Sequence, residues 1–190
     1  MTWVGLVELT YVGVLLNVVG AQTLSVAGLQ HLLQGAPHAD VKFTELRESR
    51  WLAAPIESSG TMRSNATLLE KRVEQPHLEI WRILDDRMQV SMPGSDSIKE
   101  ILLDQAPAAA ALAITLRRVM TGDLDALTKD FQLELSGDER EWDVQLTPRH
   151  ADVARQLKQI ALQGAGRRLS VIVIQETQGD RTTTHLHYPK

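Results

Sequence analysis

The alternation of apolar and polar positions over residues 42–104 predicts a series of antiparallel strands. Branched and aromatic residues between Lys42 and Leu52 favour extended backbone, and Ala54-Pro55 ends this run because proline cannot donate a ladder hydrogen bond. Turn-forming residues separate the runs, which recur about every ten residues, as in an antiparallel meander of five or six strands. The predicted strands cover residues 42–52, 58–64, 66–74, 77–84, 88–92 and 97–104.

A single apolar segment interrupts the strands and predicts a helix over residues 107–120. Pro107 suits the first turn of a helix. Between Ala108 and Leu116 only Thr115 is polar, so no side of this helix suits contact with water. Either both faces are buried in protein, or one face covers a cavity that holds something apolar. The segment is too short to cross a bilayer, which takes about 20 residues.

The remaining chain predicts a short helix and five more strands. Ser25 is placed to cap a short amphipathic helix over residues 26–35. Residues 131–135 and 142–146 alternate apolar and polar positions around the turn Ser136-Gly137-Asp138, which predicts a hairpin. Three final strands are predicted over residues 157–163, 168–177 and 182–188. The whole pattern indicates an α+β fold that is mainly β.

The N-terminus has the pattern of a secretory signal. Residues 12–21 form an apolar core, and Val19-Gly20-Ala21 has the small residues that a signal peptidase accepts. The preceding residues carry Glu8 and no lysine or arginine, which is atypical of a signal. We expect residues 1–21 to be a cleaved signal peptide and residues 22–190 to be a single domain. A retained hydrophobic segment is the alternative.

Composition excludes several classes of function. The chain has 190 residues, enough for one domain with a sizeable core. Its net charge of −4 argues against non-specific binding of nucleic acid, which requires a basic surface. The absence of cysteine excludes disulfides, thiol catalysis and thiolate metal sites.

No pattern of catalytic residues stands out, so we expect a binding protein and no enzyme. His185 and His187 share one face of a predicted strand, but no third metal ligand is near them in the sequence. Asp85-Asp86 fits turn chemistry better than an acid–base pair, and Arg117-Arg118 suits the solvated end of a helix. Glycine-rich phosphate loops, nucleophile elbows and zinc-protease motifs are absent. A hydrolase with an unrecognised site is the enzymatic alternative.

The order of several short motifs resembles a known family. Phe43, Thr44, Glu45, Arg47, Leu52, Pro55, Ser58, Gly60 and Met62 begin the pattern, and Pro76 then precedes a strand that bears Trp81. The apolar helix follows, and the hairpin from Phe131 to Pro148 and the segment Ile160–Gly164 complete the pattern. In this order the chain is similar to the LolA family of periplasmic lipoprotein carriers, specifically to its divergent LolA-like branch.

The resemblance implies a fold, a ligand and a set of site residues. The expected fold is an incomplete antiparallel β-barrel with a helical lid over an apolar concave face, beneath which acyl chains bind without any cofactor or metal. In this family, an arginine that holds the lid comes directly before the proline of the Trp-bearing strand. In this chain Gln75 occupies the position of that arginine. The expected lipid-binding residues are Trp81, Ile83, Leu112 and Leu116, together with one face of the hairpin, either Leu133 and Leu135 or Trp142, Val144 and Leu146.

The expected function is therefore that of a periplasmic carrier. The resemblance implies that the chain takes up the acyl chains of a lipoprotein or lipid and moves them from the inner towards the outer membrane. Its expected partners are an inner-membrane export complex and an outer-membrane acceptor, and we expect a monomer that does not bind nucleic acid. The alternatives are an adaptor of a lipid or glycolipid export system, with the same fold but a cavity filled by its own side chains, and a membrane-tethered domain of such a system that keeps residues 1–21.

Overall fold

A computed structural model describes residues 24–35, 40–65, 67–92, 94 and 98–189, without the side chains of residues 107–109. The predicted signal peptide over residues 1–21 lies outside the described residues. We number helices and strands in chain order.

The described residues form one sheet of eleven antiparallel strands in the order β6-β5-β4-β3-β2-β1-β11-β10-β9-β8-β7. This confirms the predicted mainly β architecture, an antiparallel sheet that does not close into a barrel. Within the described part of the chain, β6 and β7 form the two edges of the sheet. The strands are β1 (Val41–Glu48), β2 (Ile56–Ser64), β3 (Leu69–Gln75), β4 (Glu79–Ile83), β5 (Arg87–Ser91), β6 (Ile98–Leu102), β7 (Phe131–Gly137), β8 (Trp142–Pro148), β9 (Leu157–Ala165), β10 (Arg168–Glu176) and β11 (Arg181–His187).

Three α-helices occur in the described residues. Helix α1 (Val26–Gln34) begins at Ser25, whose hydroxyl accepts a hydrogen bond of 3.0 Å from the Gly28 amide, as the sequence predicts. Helix α2 (Pro107–Thr121) matches the predicted apolar helix, and α3 is the single turn Ala151–Ala154. Two short 3₁₀ segments, Leu103–Gln105 and Asp125–Lys129, flank α2.

Topology places α2 across one face of the sheet. The segment that contains α2 leaves the edge strand β6 and enters the opposite edge strand β7, so it must pass over the sheet. Strands from both halves of the sheet surround one cavity together with α2, so the sheet curves around the helix. The face towards α2 is called the concave face below.

The apolar helix α2 lies between two clusters of buried side chains. One is the main core, which contains Val119 of α2 with residues of α1, β1, β2 and β7–β11. The smaller cluster contains Ala110 and Ala113 of α2 with residues of β3–β5, among them Leu69 and Met88. Burial against protein on two sides explains why nearly all of α2 is apolar.

The first strand is shorter than the sequence pattern predicts. The expected run to Leu52 is wrong, because β1 ends at Glu48 and a loop follows. The Leu52 amide donates to the Ser49 carbonyl at 3.1 Å, and the Trp51 amide donates to the Ser49 hydroxyl at 3.3 Å. This turn replaces ladder pairing, and it leaves the Trp51 side chain 74% exposed.

Candidate functional site

A cavity of about 550 Å³ lies between α2 and the concave face of the sheet. Leu112, Ala113, Thr115 and Leu116 of α2 form its roof. Positions 112, 115 and 116 lie on one side of a helix, since residues three and four apart are neighbours on its surface. The structure therefore satisfies both sequence interpretations of α2, because the helix is packed on two sides and still covers a cavity.

Two apolar walls flank the cavity. On one side Trp81 and Ile83 of β4 project into it with Met88 of β5. Ile83 and Met88 are direct cross-strand partners, which places their side chains on the same face of the sheet. The opposite wall belongs to β9 and β10 and consists of Ile160, Leu162, Ile172 and Ile174. The structure thus brings together four predicted site residues, Trp81, Ile83, Leu112 and Leu116.

A row of polar side chains crosses the middle of this cavity. Glu45 of β1 lies directly between its cross-strand partners Ser58 of β2 and Thr184 of β11, and all three line the cavity. Lys71 of β3 reaches Glu45 and donates to both carboxylate oxygens at 2.7 Å. The Thr184 hydroxyl also donates to Glu45 at 2.7 Å.

Sequence reasoning missed these polar residues although the strand pattern contains a signal for them. Glu45 follows buried Phe43 by two positions, and Lys71 precedes buried Val73 by two positions. Since side chains two apart in a strand share a face, each charge falls on the apolar face of its strand. A charged residue at such a position marks either a buried ion pair or a ligand contact.

The predicted hairpin residues lie away from the cavity. Leu133 and Leu135 are direct partners of Leu146 and Val144, so both sets share one face and are not alternatives. Trp142, Val144 and Leu146 are at most 1% exposed, and Leu133 and Leu135 pack against the same core. Side chains of α1 and of the segment around Leu127 belong to this core, so protein fills the concave face where the sequence allowed a cavity.

Gln75 lies at the end of β3 and is exposed. It pairs with Ser59, which in turn pairs with Thr44 of β1. Thr44 alternates with the inward Phe43 and Glu45, so this row of residues faces the convex side of the sheet. Within the described residues the Gln75 side chain makes no hydrogen bond, and the structure does not bring it to α2.

A different residue ties α2 to the sheet. The Arg117 guanidinium forms an ion pair with Asp85 in the turn between β4 and β5, and it donates to the Thr67 carbonyl at 3.3 Å. The Arg117 side chain is only 12% exposed. The sequence interpretation of this residue as a solvated helix end is therefore wrong, since it spans from α2 to two loops of the β2–β5 half of the sheet. Asp85 does lie in a turn, as predicted.

Candidate chemistry elsewhere in the described residues is sparse. No group of three or more potential metal ligands occurs in this part of the chain. His187 contacts Thr44 through Nε2 and Oγ1 at 3.1 Å, and both lie in the convex-facing rows. The helices of the described ranges are each too short or too polar to span a membrane.

The chain is similar to one protein family and to several solved structures. The family model for outer membrane lipoprotein carrier protein LolA-like matches residues 20–188. A LolA superfamily protein from Nitrosomonas europaea is 11% identical, with 86% of this chain and 91% of that chain covered and a TM-score of 0.46. A DUF1329 family protein from Desulfovibrio piger is also 11% identical, with 86% and 90% covered and a TM-score of 0.48. No curated protein matches the chain.

The family model covers nearly all of the chain, including every strand and all three helices of the described residues. The family resemblance inferred from the order of motifs is thereby confirmed. This chain belongs to the LolA-like family of outer membrane lipoprotein carrier proteins.

Proposed function

We propose that this chain is a periplasmic carrier that binds the acyl chains of a lipoprotein or lipid and moves them from the inner towards the outer membrane. The observation that supports this proposal is the cavity of about 550 Å³ under α2. Its volume falls within the range of about 300–1,000 Å³ that is usual for pockets of small ligands. Its two walls and its roof offer apolar side chains to a hydrocarbon chain.

The energetics of lipid transport favour such a cavity. Each methylene group that leaves an apolar environment for water costs about 0.8 kcal/mol, so an acyl chain of ordinary length cannot cross an aqueous compartment unshielded. A protein that moves the chain must replace the bilayer with apolar surface. This task needs no reactive group, and we propose no enzymatic step for this chain.

The proposed lipid contacts combine sequence and structure. Trp81, Ile83, Leu112 and Leu116 were expected from the sequence and line the cavity. Met88 and Ile172 extend the two walls. The hairpin residues are left out because they pack in or against the main core and do not line the cavity.

The adaptor alternative is less well supported than the carrier. An adaptor that uses the fold only as a scaffold needs no cavity and should fill the space under α2 with side chains. The open volume at this place argues against that alternative. A membrane-tethered form differs from a free carrier only in whether residues 1–21 are kept, and N-terminal sequencing of the mature protein distinguishes the two.

The direct test is to identify what the native protein holds. We expect mass spectrometry of protein purified without detergent to find a lipid at close to one molecule per chain. We also expect the purified protein to bind a fluorescent fatty acid and to release it when stearate is added. A protein that contains no lipid and binds no fluorescent fatty acid would contradict the carrier proposal. The oligomeric state, which we expect to be monomeric, follows from light scattering on the same sample.

A further inference from the structure

We propose that the cavity contains a polar subsite for an uncharged hydrogen-bonding group, a hydroxyl or an amide, on an otherwise apolar cargo. This inference rests on the proposed carrier function and specifies its substrate class. The subsite consists of Glu45, Lys71, Ser58 and Thr184 on the sheet and Thr115 on α2, all of which line the cavity.

The ion pair at the centre of the subsite is well formed and largely removed from water. Lys71 Nζ lies 2.7 Å from both carboxylate oxygens of Glu45 and 4.9 Å from the centroid of the Phe43 ring. The side chains of Lys71 and Glu45 are 20% and 17% exposed. The hydroxyls of Thr184 and Ser58 donate to the same carboxylate at 2.7 and 3.5 Å.

A cavity that binds only hydrocarbon does not require this ion pair. Removing two charges from water is costly, and an apolar pair of similar size often serves stability equally well or better. Strand pairing in this region is made by backbone ladders between β1, β2, β3 and β11 and does not need the charged side chains. A saturated chain lying across the pair would remove its remaining water and return no hydrogen bond.

The hydroxyl of Thr115 provides independent support for the polar subsite. Thr115 is 2% exposed, and its hydroxyl makes no hydrogen bond within the described residues. Thr121 on the same helix shows the usual alternative, because its hydroxyl donates back to the carbonyls of Arg117 and Arg118. A buried hydroxyl without a partner is unfavourable. Because Thr115 lines the cavity, a rotation about its χ1 bond would bring the hydroxyl to a polar group of the cargo beneath α2.

The charge balance of the cavity selects a neutral group. Arg47 and Lys71 contribute two positive charges to its lining, and Glu45 and Glu79 contribute two negative charges. Together, the hydroxyls of the subsite can also still both donate and accept hydrogen bonds. Thr184 has accepting lone pairs left after it donates to Glu45, and Thr115 can both donate and accept. A phosphate or carboxylate would find no excess of positive charge here, whereas a hydroxyl or an amide can donate and accept.

The experiment compares stearate with its hydroxylated analogues as competitors for a bound fluorescent fatty acid. The analogues carry the hydroxyl at different positions along the chain, so that the hydroxyl of at least one of them reaches the subsite. We expect at least one analogue to bind about two- to tenfold more tightly than stearate, which corresponds to one or two hydrogen bonds. The double variant Glu45→Leu/Lys71→Met and the isosteric variant Thr115→Val should each reduce this ratio towards one.

The outcomes separate the subsite from the carrier function. If the protein binds stearate and no analogue binds better, the subsite is refuted and the carrier proposal stands. If it binds neither stearate nor any analogue, the carrier proposal itself fails. If the double variant does not fold, as judged by circular dichroism, Thr115→Val decides alone, because it keeps the shape of the side chain and removes only the hydroxyl. A preference that persists in Thr115→Val and in a folded double variant would also overturn the inference.

Discussion

The indole of Trp142 occupies the space that a side chain at position 164 would need. Trp142 and Gly164 are direct partners across β8 and β9, and a Cβ atom on Gly164 would overlap the indole and the Arg168 carbonyl. Trp142 is 1% exposed, and its Nε1 donates a hydrogen bond of 3.0 Å to the Gly166 carbonyl. The ring is thus held in a part of the concave face that protein already fills.

Substitution of Gly164 by alanine should therefore destabilise the fold. The new methyl group meets backbone as well as the indole, so a side-chain rotation cannot relieve the overlap. We expect the free energy of unfolding to fall by about 3 kcal/mol or more, measured by urea denaturation. Gly166→Ala is the comparison, because nothing lies within 4 Å of its Cβ and only the backbone φ of +53° is unfavourable. A smaller loss for Gly164→Ala than for Gly166→Ala would contradict the packing described here.

The tryptophans themselves should differ sharply in what they contribute to stability. Trp142→Ala removes a buried ring and should cost about 3–5 kcal/mol in free energy of unfolding. Trp51→Ala removes a ring that is 74% exposed in the loop after β1, and it should change stability by less than about 0.5 kcal/mol. Urea denaturation of both variants checks this contrast. Equal losses would mean that Trp51 packs against protein.

The sequence predicted most strands because alternation and turn residues are local signals. The hairpin of β7 and β8 and the capped helix α1 lie where the local pattern places them. The end of β1 was missed because the Ser49 turn depends on hydrogen bonds that compete with the strand ladder. Local propensity does not decide that competition.

The site was harder to predict because the strand pattern gives the face of a residue and not what covers that face. Trp81 and Trp142 both point to the concave side, yet one borders open space and the other touches protein. The difference depends on where α1 and the chain around Leu127 pack, which is a tertiary contact. The ion pair between Arg117 and Asp85 was missed for the same reason, since it joins a helix to a distant turn.

The turn between β7 and β8 should make stability depend on pH in the acid range. Backbone amides of Arg140 and Glu141 donate to Asp138 Oδ1 at 2.7 and 3.2 Å and lower the pKa of that carboxyl. A carboxyl whose pKa is lower in the folded state stabilises the fold above its unfolded pKa, and this stabilisation is lost as the pH falls through the folded pKa. The unfolding free energies of wild type and Asp138→Asn should therefore converge as the pH falls below about 4.

The control for the turn is Glu139→Gln, which removes a neighbouring charge without touching the hydrogen bonds to Asp138. The difference in unfolding free energy between Glu139→Gln and wild type should vary less with pH than the difference between Asp138→Asn and wild type. Urea denaturation at a series of pH values measures both. Parallel curves for wild type and Asp138→Asn would show that the two amide hydrogen bonds do not favour the ionised carboxyl.

Replacing Leu116 with aspartate should separate lipid binding from folding. Leu116 is partly buried and borders the cavity, so a carboxylate there can be hydrated. We expect a folded protein that loses about 1–3 kcal/mol of unfolding free energy and no longer binds the fluorescent fatty acid. Val119→Asp on the same helix is the matched control, because Val119 is 1% exposed in the main core. The unpaired buried charge should cost about 4 kcal/mol or more.

Two results would contradict this placement of α2. If Leu116→Asp binds the fatty acid as tightly as wild type, Leu116 does not face the cargo. If it unfolds as readily as Val119→Asp, the space beneath α2 is too small to admit water. Circular dichroism and fatty-acid displacement on the same samples distinguish these results.

The contacts of Arg117 should control how readily α2 moves away from the sheet. Arg117→Met keeps the apolar stem but removes the ion pair with Asp85 and the hydrogen bond to the Thr67 carbonyl. The ion pair is worth about 0–1 kcal/mol because Asp85 is 74% exposed, and the hydrogen bond about 1 kcal/mol. We expect the exchange rate of a bound fluorescent fatty acid to rise by up to about tenfold.

Neighbouring residues supply the controls for this prediction. Asp85→Asn should raise the exchange rate in the same direction, whereas Asp86→Asn should not, because Asp86 contacts Arg87 and not α2. Gln75→Arg tests the latch that the family resemblance implies, and a slower exchange in that variant would place a second tether near Pro76. Since Gln75 faces the convex side, we expect the Arg117 variant to have the larger effect. An unchanged rate in Arg117→Met would mean that apolar packing of α2 alone sets the rate at which cargo leaves the cavity.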